Sequence, residues 1–163
     1  MDKLEIIKRV INRQILKVPM GFWDKETAVL AVRYLIVDYL KYSRDNIYEK
    51  FTIRDLSKYG LRSVRKYGST YELVTLAVPE FNLMPWELKK LPNEYWTDEH
   101  IKEAIDWLVY EVLDTTPEKA KITGRILIKN KLLRVYTKKN RSIKAIMETA
   151  YPVKYFGIIF SED

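Results

Sequence analysis

Between Lys119 and Lys144 the chain carries ten lysines and arginines and no acid, whereas from Glu94 to Glu118 it carries eight acidic residues and one lysine. Cations at this density suit the neutralisation of phosphates. Duplex DNA presents a charge about every 1.7 Å of its axis, and each phosphate neutralised releases a counterion. Lys129, Lys131, Arg134, Lys138, Lys139 and Arg141 fall around the turn and second helix of a predicted helix-turn-helix, Thr123 to Lys131 and Leu132 to Lys139. An earlier stretch holds Arg54, Lys58, Arg62, Arg65 and Lys66, with Asp55 its only acid. Tyr59, Tyr67 and Tyr136 lie among these charges, where rings can stack on bases or bond a phosphate. The opposite use is also open. The acidic helix expected over 97–114 can lie against a basic segment and join one unit to the next, within a chain or between chains. The partner is therefore DNA or RNA, or else a protein or a second copy engaged through the acidic helix.

Catalytic chemistry has little to stand on. The single histidine, His100, lies on the first turn of the acidic helix beside Glu99 and Glu103 with no second histidine to complete a metal site, and reads as a solvated surface residue. The five glycines are scattered, so no phosphate-cradling loop is formed. Glu87-Leu88-Lys89 matches a fragment of a nuclease signature but lacks the preceding strand and a suitably placed aspartate. The expectation is a non-enzymatic protein with no cofactor, no metal and no catalytic residues.

Composition sets the outer bounds. A chain of 163 residues can bury roughly 70% of its unfolded surface. With 47% hydrophobic and 31% charged residues it is globular in type. The absence of cysteine excludes disulfides and thiolate metal sites. Charge interrupts MDKLEIIKRVINRQILKVP throughout, unlike a signal peptide, and TAVLAVRYLIVDYL is broken by Arg33 and Asp38 and too short to span a bilayer. The expectation is a soluble cytoplasmic protein without a membrane partner. A net charge of +7 favours polyanionic partners in a non-specific way.

An internal repeat organises the chain. FWDKETAVLAVRYLIVDYLKYS, from Phe22, aligns with YWTDEHIKEAIDWLVYEVLDTT, from Tyr95, at an offset of 73. Trp23 then meets Trp96, Ala31 meets Ala104 and Leu35 meets Leu108. A two-residue deletion moves the offset to 71, so that Phe51, Leu56, Leu61 and Val64 fall on Ile122, Leu127, Leu132 and Val135; it returns to 73 for Ala77-Val78-Pro79 against Ala150-Tyr151-Pro152. The expected organisation is all-α: an N-terminal helix within 1–19, then two degenerate repeats of about 72 residues, 20–91 and 92–163, packed as one unit.

Each repeat reads as helical. Apolar positions 28, 31, 32, 35, 36, 39 and 40 form one helical stripe, capped by Asp24, with Thr97 in the matching place. Three short helices follow, Thr52 to Tyr59, Leu61 to Tyr67 and Ser69 to Val78, with Gly60 and Gly68 at the bends and Pro79 and Pro152 ending the last helix of each repeat. Leu4, Ile7, Ile11 and Ile15 predict a leading helix over 2–18, and residues 80–94 form a connector in which Trp86 either plugs the junction between the repeats, the favoured reading, or is an exposed anchor. ILI-KNK-LLRVYT could instead form a basic hairpin, but its counterpart IRDLSKYGLRSV has little strand character, which favours helix.

A Trp near a helix start, Ala-x-x-x-Leu, Ala-x-Pro and the Phe81 to Leu88 connector resemble a functionally uncharacterised family of bacterial tandem helical repeats. After Pro152 the sequence lacks Pro-Trp-Glu-Leu, as at the end of an array. YGSTYELVTLA, residues 67–77, is similar to the last helix of the helix-turn-helix repeats that accompany homing endonucleases, which implies DNA binding; the similarity covers about 26 residues of the first repeat, and Asn140-Arg141-Ser142 departs from it in the second.

Overall fold

A computed structural model describes residues 2–89, 91 and 94–152; the expected end of the second repeat beyond Pro152 lies outside them. The described residues form helices and turns and no strand. The chain divides into two compact units, Met1–Leu91 and Pro92–Asp163.

Unit 1 begins with α1 (Lys3–Ile11), started by Asp2, whose carboxylate accepts from the Glu5 amide at 2.7 Å. The helix ends well short of the expected residue 18. The Asn12 side-chain amide donates to the Lys8 carbonyl at 2.8 Å, and Arg13 takes a left-handed conformation at φ 57 that breaks the periodicity. Ile15 and Val18 still pack on the core beyond the helix, so the apolar spacing of Ile15 marked burial and not helix.

The main helix of unit 1 is α2 (Lys25–Arg33), capped by Asp24 and continued through a π-helical turn, Tyr34–Tyr39. The Leu40 amide donates to the Leu35 carbonyl at 2.8 Å, one residue beyond the α-helical pattern, before Lys41 reverses the chain at φ 55. Then come α3 (Ile47–Lys50), α4 (Ile53–Lys58), a 3₁₀ helix (Arg62–Tyr67) and α5 (Thr70–Ala77). Thr52 and Asp55 make a reciprocal capping box on α4, and Ser69 caps α5 through the Glu72 amide at 3.2 Å. Gly60 bends at φ 79, as expected, with Val10 so close that a Cβ would meet its methyl at 3.1 Å; the chain bends at Gly68 too, but with extended dihedrals, φ 163 and ψ 169. Val78 caps the end of α5 immediately before Pro79.

The apolar stripe of α2 supplies the centre of the core. Ala28, Ala31, Val32, Leu35 and Ile36 are fully buried, and α5 packs on them with Leu73, Val74 and Ala77. Each large side chain so buried stabilises by about 1.5–3 kcal/mol relative to exposure. Arg33 fastens α2 to the end of α5, donating to the Ala77 carbonyl at 2.9 Å and to Glu80 at 2.6 Å. The connector is held by Arg44, whose guanidinium meets both Glu87 oxygens at 3.0 and 3.1 Å, and Trp86 is buried, not an exposed anchor.

Unit 2 is assembled from elements of the same kind. Thr97 caps α6 (Asp98–Asp106), which also runs into a π-helical turn, Trp107–Val112, closed by the Leu113 amide on the Leu108 carbonyl at 2.8 Å. Asp114 reverses the chain at φ 49. The remaining helices are α7 (Gly124–Lys129), capped by Thr123, α8 (Leu133–Lys138), which starts without a side-chain cap, and α9 (Ile143–Ala150), capped by Ser142. Ile101, Ala104, Ile105, Leu108 and Val109 are fully buried, as are Leu127, Leu132 and Val135, and α9 packs against α6. The segment weighed as a hairpin is thus a pair of helices.

Candidate nucleic-acid interface

The basic residues of unit 1 are carried by α4 and the following 3₁₀ helix. Leu56, Leu61 and Val64 point inward and are buried, which leaves the intervening positions to solvent: Arg54, Lys58, Arg62, Arg65 and Lys66 are all exposed. Arg62, Arg65 and Lys66, with Ser63, surround a shallow concavity of about 470 Å³. The Lys58 ammonium lies 5.4 Å from the centre of the Tyr59 ring, and its backbone carbonyl accepts from Arg13 at 3.2 Å.

The ion pairs of unit 1 are formed elsewhere. Lys3 pairs with Asp24, Arg9 with Glu5, Lys25 with Glu72, Arg33 with Glu80, Arg44 with Glu87 and Lys89 with Glu49, at 2.5–3.7 Å. None of these uses a cation from the 54–66 segment, and Asp55 is occupied in the α4 capping box. Hydrogen bonding to Thr27 holds the Asp24 carboxyl below the ordinary range, the Lys25 ammonium does the same for Glu72, and the backbone amide and Arg33 for Glu80. Asp24, Glu5, Glu72, Glu80, Glu87 and Glu49 are thus paired with cations outside the basic segment.

In unit 2 the counterpart is α7, α8 and the turns around them. Lys129, Lys131, Arg134, Lys138 and Arg141 are exposed and Lys139 is half-buried. Two of them have structural duties that their charge did not reveal. Lys138 donates from its ammonium to the Trp96 carbonyl, and Lys139 meets Asp98 at 3.4 Å. The matching bond in unit 1 is made by a tyrosine, Tyr67, whose hydroxyl donates to the Trp23 carbonyl at 2.9 Å. Arg141 lies 6.0 Å from the Tyr136 ring, which covers the start of α7 so closely that a Cβ on Gly124 would stand 2.7 Å from the ring.

The tyrosines expected among the charges are engaged within their units. Tyr59 meets Tyr39 edge-to-face at 5.3 Å, and Tyr67 and Tyr136 serve the contacts just described. His100 departs from its expected role as well: it is half-buried, stacked on Tyr95 at 4.1 Å, with Nδ1 bonded to the Tyr95 carbonyl. Two residues that sequence reading left within the apolar clusters are instead on the surface. Ile128 and Leu133 flank the α7–α8 turn at 51% and 45% exposure. The available signal was their counterparts at the 71-residue offset, Ser57 and Arg62, which are polar.

Residues 4–83, from α1 almost to the end of unit 1, match the model of a family described as a protein of unknown function (DUF4046). Unit 1 is similar to an uncharacterised family. No curated protein and no solved structure matches the chain. No helix among the described residues is long and apolar enough to cross a membrane.

Proposed function

We propose that the protein is a non-enzymatic nucleic-acid-binding module of the cytoplasm, built from two duplicated helical units that each grip phosphate backbone with a segment of short helices. The observation that carries this reading is the separation of charge in unit 1: Arg54, Arg62, Arg65 and Lys66 are exposed and, among the described residues, outside every ion pair, while Asp24, Glu72, Glu80 and Glu87 pair with other cations. Buried Leu56, Leu61 and Val64 hold these cations outward, so they meet a polyanion without first breaking internal bonds. Arg134, Lys129 and Arg141 supply the equivalent set in unit 2. The similarity to the helix-turn-helix repeats that accompany homing endonucleases supports the same reading for unit 1.

The rival use, a scaffold binding protein or a second copy through the acidic helix, draws on Glu99, Glu103, Tyr110 and Glu111, all exposed. Titration of labelled duplex and single-stranded DNA by fluorescence anisotropy separates the two. Wild type should bind in the micromolar range at low salt, as for phosphate-directed contacts. An R62A/R65A/K66A variant with unchanged circular dichroism should bind about tenfold or more weakly, as expected when several phosphate contacts are lost. Binding that is absent, or indifferent to the triple substitution, sends the search for a partner to the acidic helix.

A further inference from the structure

The turn between α7 and α8 exposes two large aliphatic side chains within the most basic part of the molecule. Leu127 and Leu132 fill the core beneath it and are fully buried, while Ile128 and Leu133, the residues next to them, stand 51% and 45% exposed. The turn itself is well fixed. The Lys131 amide donates to the Ile128 carbonyl at 3.2 Å, the Leu132 amide to the Leu127 carbonyl at 2.8 Å, and the Asn130 side chain to the Ile126 carbonyl at 2.8 Å. Lys131, at φ 68, completes the reversal. Ile128 and Leu133 are therefore presented on either side of one rigid turn, with Lys129, Lys131 and Arg134 from the same seven residues. No acid occurs from Lys119 to Met147.

Single exposed aliphatics on a surface need no explanation. Two on one turn, with cations beside them in sequence, are different, because the matching turn of unit 1, reversed at Gly60, has Ser57 and Arg62 in their places. Packing does not require the pair. A ligand that satisfies both halves of this surface is a polyanion with apolar faces open to contact, which is a nucleic acid whose bases are unpaired or unstacked. An anionic lipid surface offers the same charge, but membrane attachment grows with the apolar area inserted, and two side chains on six-residue helices provide no amphipathic face.

We infer that the α7–α8 turn is a base-contacting wedge: Ile128 and Leu133 press against exposed bases while Lys129, Lys131 and Arg134 hold the flanking phosphates. The inference rests on the nucleic-acid reading above and deepens it, with unit 1 gripping backbone of any structure and unit 2 favouring single-stranded, bulged or kinked sites.

The test uses the full-length protein, three labelled probes (a single strand, a duplex with an internal bulge and a fully paired duplex), and an I128S/L133S variant. Both substitutions are at exposed positions, and an unchanged melting temperature confirms the fold. Wild type should prefer the single strand and the bulge by about tenfold over the paired duplex, the size expected from contacts to one or two bases. The variant should bind all three alike, with the salt dependence unchanged. Fluorescence of 2-aminopurine placed in the bulge should change on binding wild type and not the variant. A preference that survives in the variant, or a wild type that binds the three probes equally, overturns the wedge and leaves the phosphate-gripping reading intact. Absence of binding to any probe overturns both. Loss of binding to phosphatidylserine vesicles in the variant, with nucleic-acid binding untouched, assigns the turn to a lipid surface and also overturns the wedge.

Discussion

Lys138 shows how far a residue's type can mislead about its work. It stands in a run of cations and reads as a phosphate contact, yet its ammonium donates to the Trp96 carbonyl at the start of α6, the position at which Tyr67 serves Trp23 in unit 1. The sequence displays the charge and conceals the acceptor, because the partner lies 42 residues away. The consequence is testable by chemical denaturation. Lys138→Ala should cost unit 2 about 1 kcal/mol, the usual net worth of a hydrogen bond. Lys138→Tyr should recover most of that loss, because a tyrosine makes the same bond in unit 1. Equal stability of the alanine variant and wild type would show that the contact contributes nothing. Arg62, Arg65 and Lys66 were easier to read: buried Leu61 and Val64 alternate with them, and their exposure follows from the same spacing that buries the aliphatics.

Helix starts were legible wherever a cap was local. Asp24, Thr97, Ser69, Thr123 and Ser142 each accept from a backbone amide three residues on, so type and position together reveal the start. Helix ends depend on longer-range detail. The stop of α1 at Ile11 is set by Asn12 folding back on Lys8 and by Arg13 reaching the Lys58 carbonyl 45 residues on, neither of which interrupts the apolar spacing. The π-helical turns after α2 and α6 were also invisible: the expected stripe ran on through Tyr39, which the extra residue per turn leaves exposed, as it does Val112 in unit 2. Within unit 1, three carboxylates join or cap α2 and α5: Asp24 at the α2 start, Glu72 on Lys25 and Glu80 on Arg33. Each is held below its ordinary value, 3.8 for Asp24 and 4.5 for the glutamates, by these contacts. A depressed carboxyl contributes stability that is present above its unfolded pKa and lost as pH falls through the folded one. The melting temperature of unit 1 should therefore fall as pH drops below about 4.5, in the carboxyl range. An E72Q/E80Q variant should show a flatter profile over that window. An identical profile in the two proteins would mean that these pairs do not couple folding to pH.

Each unit has one π-helical turn and a short-helix segment in which buried aliphatics hold cations outward, α4 with a 3₁₀ helix in unit 1 and α7 with α8 in unit 2. The all-α architecture could be read before any coordinates, from the spacing of apolar positions and the helix caps. The use of the surface could not be read as fully. Exposure of Ile128 and Leu133 depends on which face of α7 and α8 meets the unit 2 core, and a hydrophobic run does not declare that. A net charge of +7 draws polyanions in general; only a dependence on particular cations makes the attraction a site. The most direct test is the salt dependence of DNA affinity. For phosphate contacts by both segments, a plot of log affinity against log salt should have a slope of about −3 or steeper, and removing Arg54, Arg62, Arg65 and Lys66 together should make it shallower by two or more. A slope near zero, or one that the four substitutions leave unchanged, would contradict the account.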